Sequence, residues 1–405
     1  MSRLSRAISS IVKPFELALR RHFPQAEVYE GSVGTTWFFG LESRAPSIAP
    51  YFSGQDVRRG PRSRVQRKRI PRRIDEVAEA GGLPILRLPE PDPWFDDVLQ
   101  RAIAVPHLVD IHKDLPADVD TLRDELLTST TREDFRRIRK ANISYRVTSD
   151  PDLIQEFHAR HYTPLLAHRF PDDGRIGTVK SMLRAGGELI CADIDGDWVA
   201  GIFNIPREEK YVMKAFGIRD ADEAIRNKRV AAALIIRSLE RAVELGVNQA
   251  TLGRSLPFLG KGPVWFKAKW GATITRGSRP RELHMFMDLR QPAVRQMLSA
   301  SPVIHVVDGD LVASTWLEPG DEMLRIAVRE AGRFVGISKW NVVGLPETLA
   351  AGASELSTSE RIIPVPVVPS ADQPLWLGEV LSATELGHSH ANSAGVSAEG
   401  TKTPR

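Results

Sequence analysis

A single cysteine, Cys191, stands in this chain of 405 residues, so no intramolecular disulfide can form and the sequence reads as one made for a reducing compartment. The opening residues lack the apolar core of a secretory signal, and no run of about eighteen uninterrupted apolar residues occurs, so a spanning helix is not expected. The location these absences predict is cytoplasmic. Charge of one sign is in small excess: Lys and Arg number 55 against 51 Asp and Glu, which leaves any preference for anions to local clusters. Repeats, heptads and a Walker phosphate loop are missing, and the stretch 31–34 (GSVG) is too short and badly placed for a dinucleotide fingerprint. Metal chemistry finds little to stand on. His158 and His161 share a predicted helix without a third ligand, His388 and His390 lie in a predicted tail, and no metal is expected. Cys191 falls in a predicted strand with no histidine partner and reads as a buried, inert thiol.

What is present suffices for more than one core, since 42% of the residues are apolar and the length fits two or three units. Four regions are expected: a mixed N-terminal region over 1–110, a principal domain over 111–300, a small appended α+β unit over 301–381, and a disordered tail over 382–405 poor in bulky apolar groups. Within the first, 28–41 predicts a hairpin. Residues 58–73, from Arg58 to Arg73, hold eight arginines and one lysine in sixteen positions. Such crowded like charges predict a solvated loop that could contact RNA, lipid or phosphate, or simply face water.

In the principal region the spacing is clearer. Thr130 and Glu133 have capping-box spacing ahead of a basic amphipathic helix, with Phe135 and Ile138 on one side and Arg132, Arg136, Arg137, Arg139 and Lys140 on the other. Asp150 and Pro151 open a second helix, which Pro164 should end or bend. Strands are predicted over 189–194, 199–205 and 211–218 as neighbouring antiparallel partners. A helix over 230–245, stopped by Gly246, and a strand over 247–252 follow, an order that makes a parallel crossover. Further strands are expected over 282–289 and 362–368, a hairpin over 303–312, and helices over 294–298 and 322–331.

The most informative stretch is 251–271, TLGRSLPFLGKGPVWFKAKWG. A strand end and a Gly- and Pro-rich loop lead into Phe266, Lys267, Lys269, Trp270 and Gly271, which sets two ammonium groups beside two aromatic faces at the mouth of a sheet. That combination suits an anionic or acyl-carrying ligand, although Lys side chains near Trp and Phe also arise where apolar rings pack and amines reach for water.

The ordered blocks REDFRRIRKAN (132–142), LICADIDGDWVAGIF (189–203), ELG (244–246), LGRS (252–255) and FKAKWG (266–271) resemble the GNAT superfamily, in particular its FemAB-like and CelD/BioF-type acetyltransferase branch. The resemblance spans about 110–300. It implies an α/β (α+β) fold with a mixed, mostly antiparallel sheet flanked by helices, preceded by a degenerate second GNAT-like half. It further implies an enzyme, an N-acyltransferase moving an acyl group from acyl-CoA (acetyl-CoA) to an amine on a small molecule or an envelope or polysaccharide precursor. Aminoacyl-tRNA is the donor in the Fem-type alternative, and tRNA or another polyanion could meet residues 58–73. A non-catalytic RNA- or polyanion-binding module is the other reading.

Through the same resemblance, Arg226, Lys228, Arg229, Val230 and Ala231 would hold the donor's phosphates at a helix N-terminus, where free N–H groups and the helix dipole favour anions. Arg229 departs from the pattern, standing where a glycine allows close backbone approach. Lys267 would be the catalytic residue, stabilising the negative charge that develops on the reacting carbonyl. Phe266 and Trp270 would line its pocket, with Arg169, Arg254 and Ser255 nearer the acceptor. No general base stands out among His161, His168, Glu188, Asp193, Tyr211 and Glu240.

Overall fold

Three sheets organise the protein in a computed structural model that describes residues 25–40, 45–54, 56–88, 92–169, 177–260, 262–277, 281–318, 332–351, 356, 359–368 and 373–384. The fold is mixed α/β, with mostly antiparallel sheets flanked by helices. Two compact units result, one of Met1–His107, Arg281–Ala331 and Ser338–Arg405, the other of Leu108–Pro280 and Gly332–Ile337.

The first unit contains strands β1 (Gln25–Glu30), β2 (Thr35–Phe39), β3 (Arg58–Arg64), β4 (Leu83–Leu86) and β5 (Ile103–Pro106), joined by β13 (Glu282–Met285) from far along the chain. Their order is β3-β1-β2-β4-β13-β5. A second sheet in this unit orders β14 (Val303–Val307), β15 (Asp310–Leu317), β16 (Lys339–Gly344) and β17 (Ile362–Pro366) in sequence. The chain divides between His107 and Leu108, near the expected 110, and the long stretch of the second unit ends at Pro280 rather than 300. Residues 281–300 return to the first unit because β13 pairs with both β4 and β5, and 301–381, apart from Gly332–Ile337, belongs to that unit as well. The helix expected over 322–331 and the tail beyond 384 lie outside the described residues.

The loop expected over 58–73 is also corrected: it is an edge strand, a short Arg67–Arg69 turn and the helix Ile70–Glu79. Glu27 of β1 explains the strand. Its carboxylate is buried at 3% exposure and meets Arg59 at 3.1 Å and Arg62 at 2.8 Å, which offsets the repulsion between them. Pro61 is tolerated because the outer edge needs no ladder donor.

The second unit carries the seven-stranded sheet β12-β6-β11-β10-β9-β8-β7. Its strands are β6 (Val109–Asp114), β7 (Ser144–Thr148), β8 (Glu188–Ile194), β9 (Asp197–Pro206), β10 (Lys210–Ile218), β11 (Gln249–Ser255) and β12 (Thr273–Arg276). β8, β9 and β10 are antiparallel neighbours, and the helix Val230–Glu244 returns the chain so that β11 lies parallel to β10. Eleven of that helix's fifteen residues are buried, which seats it against the sheet.

Two local departures matter. The helix Arg132–Ala141 begins after Thr131, not Thr130, and no capping box forms. The Thr131 hydroxyl turns back to donate to the Leu126 carbonyl, while Glu133 pairs with Arg136 and Arg137 at 2.7 Å each. The second helix, Pro151–Phe157, widens into a π turn over His158–Tyr162 before continuing as Thr163–Arg169, so the irregularity precedes Pro164.

Candidate active site

The parallel ladder between β10 and β11 is short: Lys210, Tyr211 and Val212 face Gln249, Ala250 and Thr251, and pairing stops there although both strands run on. Each strand is irregular just past that point. The register of β10 on β9 shifts between Met213 and Ala215, and that of β11 on β6 shifts between Thr251 and Arg254. Gly253 serves the second shift with φ +73°, and a Cβ there would stand 3.6 Å from the Met213 carbonyl. Beyond Val212 and Thr251 no ladder bonds join the two parallel strands, and this break between their C-terminal halves is the wedge. A crossover helix runs antiparallel to the strands it joins, so the N-terminus of Val230–Glu244 lies at the open end of this wedge.

That N-terminus has no side-chain cap. The first intrahelical bond runs from the Ala233 amide to the Arg229 carbonyl at 3.0 Å, leaving the amides of Val230, Ala231 and Ala232 without an intrahelical acceptor. Arg229 adopts the left-handed conformation, φ 66° and ψ 25°, so the backbone takes at an arginine the shape that a glycine takes at lower cost. Val230 is fully buried and could meet a ligand only through its backbone, while Lys228 and Arg229 are exposed. Arg226 pairs with Glu223 and lies close enough to Arg169 that, after desolvation, its charge holds the Arg169 guanidinium below the usual arginine range.

On the other side of the wedge the short helix Pro263–Ala268 presents Lys267 to the end of β11. Its ammonium donates to the Gly253 carbonyl at 3.3 Å, the Arg254 carbonyl at 3.2 Å and Ser255 Oγ at 3.0 Å. The side chain keeps some exposed surface, yet the nitrogen itself lies deep, and desolvation lowers its pKa to about 8 against the attraction of Asp110. Ser255 is buried, whereas the Arg254 side chain points to solvent and contributes its carbonyl.

Trp270 is 1% exposed and belongs to the core, so it lines no open pocket; Phe266, half-buried, meets it edge-on at 6.3 Å. The aromatic pair receives a cation from within the protein. Lys269 Nζ stands 4.5 Å from the Phe266 ring centre and 4.7 Å from that of Trp270, and donates to Asp134 Oδ2 at 2.6 Å. Asp134 is the one buried residue of its helix, and its other oxygen lies 3.4 Å from Arg229 Nε. Burial pulls the pKa of Lys269 down and the Asp134 carboxylate pulls it back. Two ammonium groups two residues apart in sequence thus have different tasks: Lys267 faces the wedge rim and Lys269 a buried carboxylate.

Sequence reasoning missed Asp134 and Asp110. Asp134 shares a helix face with the half-buried Ile138 and Ala141, and an acid at such a position signals a buried cation. Cys191 is fully buried, and desolvation pushes its thiol up to about 12, which makes it inert. His161, 1% exposed, stacks on Trp198 at 4.3 Å and approaches the Trp198 carbonyl. Among the described residues no cluster of His, Cys, Asp and Glu has the makings of a metal site, and no helix is long and apolar enough to cross a membrane.

No family model matches the chain, and no curated protein matches it in sequence. Solved structures similar to it include the C-terminal domain of a putative lysylphosphatidylglycerol synthetase from Agrobacterium fabrum, at 15% identity over 67% of this chain and 84% of that one, with a TM-score of 0.33. FemX is similar at 10% identity over 63% and 81%, with a TM-score of 0.34. A GCN5-related N-acetyltransferase from Sphaerobacter thermophilus is similar at 12% identity over 62% and 72%, with a TM-score of 0.29. Likeness at this level carries no argument about activity, which has to come from the chain's own geometry.

Proposed function

We propose that the second unit is a GNAT-type N-acyltransferase that passes an acyl group from acyl-CoA to an amine. The observation that carries this reading is the wedge between β10 and β11, open toward an uncapped helix N-terminus. An extended, amide-bearing donor arm can add to the β10 edge beyond Val212 as a strand would, since the Gly253 and Arg254 carbonyls of β11 accept from Lys267. Phosphates at its far end would meet the amides of Val230 and Ala231, with Arg226 and Lys228 nearby as charge-assisted donors, while Arg229 is held by Asp134.

In the transfer the amine nitrogen attacks the thioester carbonyl, the C–S bond breaks, and the thiolate leaves with the proton that the amine gives up. Lys267 is the group we assign to the oxyanion. With a pKa of about 8 it is charged in roughly nine molecules of ten at pH 7, which suits charge stabilisation better than proton abstraction. Its three N–H donors already have acceptors, so contact with a substrate oxygen requires exchange of one, and Ser255 Oγ is the partner that can rotate away. Arg169 and Arg254 would stand toward the acceptor. A Lys267→Ala protein that folds normally should lose transfer of acetyl from acetyl-CoA to a panel of amines, and acetyl-CoA should raise the wild-type melting temperature. Undiminished turnover in the variant removes Lys267 from the mechanism. A melting shift with aminoacyl-tRNA but none with acyl-CoA changes the donor to the Fem-type one.

One observation favours a second reading, in which the chain holds RNA without catalysing transfer. The basic edge strand and the turn after it expose Arg58, Arg64, Lys68 and Arg69, while Arg59, Arg62, Arg67, Arg72 and Arg73 form ion pairs with Glu27, Asp92 and Glu76.

A further inference from the structure

The helix Arg132–Ala141 is exposed along most of its length, and the side chain it buries is a carboxylate. Nothing in the helix itself requires this, since Glu133 already serves its first turn by pairing with Arg136 and Arg137. Asp134 instead spans two elements of the wedge rim: Oδ2 takes Lys269, one residue past the helix that carries Lys267, and Oδ1 takes Arg229, the residue just ahead of the helix N-terminus. Arg229 is the awkward residue there. Its backbone sits at φ 66°, a conformation in which glycine has no penalty, and its long side chain starts next to the amides that an anion would use.

We infer that Asp134 is a positioning residue for donor binding: by drawing the Arg229 guanidinium sideways it keeps the amides of Val230 and Ala231 clear, so the loop works with an arginine where the close approach would otherwise need glycine. The inference rests on the donor reading given above. Asp134 touches no substrate in this scheme and acts through Arg229, with Lys269 as the second cation that holds the carboxylate in place.

The test is a cycle of four proteins, wild type, D134N, R229G and D134N/R229G, with acetyl-CoA affinity measured by calorimetry and the Arg229 Nε–H signal followed by NMR where Arg229 is present. Asp134→Asn should weaken acetyl-CoA binding about tenfold or more with Arg229 in place, and less than twofold in the R229G background, where no side chain needs holding. Equal loss in both backgrounds, or no loss in either, overturns the positioning role and leaves the donor reading standing. An Arg229 Nε–H signal that responds to D134N while none of the four proteins binds acetyl-CoA overturns the donor reading, and this inference with it. Should D134N fail to fold because Lys269 is left as a buried cation, D134N/K269M replaces it at both corners of the cycle, since removing the two partners together avoids the stranded charge.

Discussion

Lys267 and Lys269 show how little sequence proximity says about environment. Both are partly or wholly enclosed, yet one is answered by two carbonyls and a hydroxyl and the other by a full carboxylate. Neutral acceptors compensate desolvation less than a carboxylate does, and Lys267 is the one whose pKa falls to about 8. The sign of the consequence follows from proton counting. Between pH 8 and the ordinary lysine value of 10.5, the unfolded chain binds more protons at this position than the folded one, so its contribution to stability rises with pH across that window. Below pH 8 both states are charged and the full desolvation cost applies. Urea unfolding of wild type and Lys267→Met should therefore differ most in the variant's favour near pH 7 and converge toward pH 10.5. A difference that does not change with pH would show that Lys267 titrates as it does in the unfolded chain.

At the scale of elements, the wedge depends on strands that stop pairing and on a helix that comes close to one of them. Gly217, near the end of β10, lies under the π turn: a Cβ there would come within 2.6 Å of the His161 carbonyl carbon and 2.7 Å of the Tyr162 amide nitrogen. Backbone atoms cannot rotate aside. Gly217→Ala should accordingly displace the turn or β10 and lower stability by about 1–3 kcal/mol, as overpacking does. Chemical denaturation gives the number, and loss of acetyl-CoA binding out of proportion to it would show that the wedge had moved as well. A change below about 0.5 kcal/mol would mean that the π turn is loosely packed on the strand.

For the whole molecule, the basic edge of β3 is the feature that decides between the catalytic and the RNA-binding readings. The four exposed cations outside the ion pairs with Glu27, Asp92 and Glu76, neutralising phosphates of a single strand, imply a slope of about −3 in the logarithm of affinity against the logarithm of salt. RNA titrations at several salt concentrations should give that slope, and Gln at Arg58, Arg64, Lys68 and Arg69 should flatten it. No binding at low salt ends the RNA reading. What the sequence alone determined is local: the β8–β9 hairpin, β10, the crossover helix and the onset of β11 follow from alternation, apolar length and a terminal glycine, because those signals act over a few residues. Only the tertiary structure decided where β13 inserts, that the arginine run extends against Glu27, and that Asp134 joins Lys269 to Arg229. Each of these depends on a partner tens to hundreds of residues away. Charge and pairing energies are set by distance and burial in space, which no local pattern encodes.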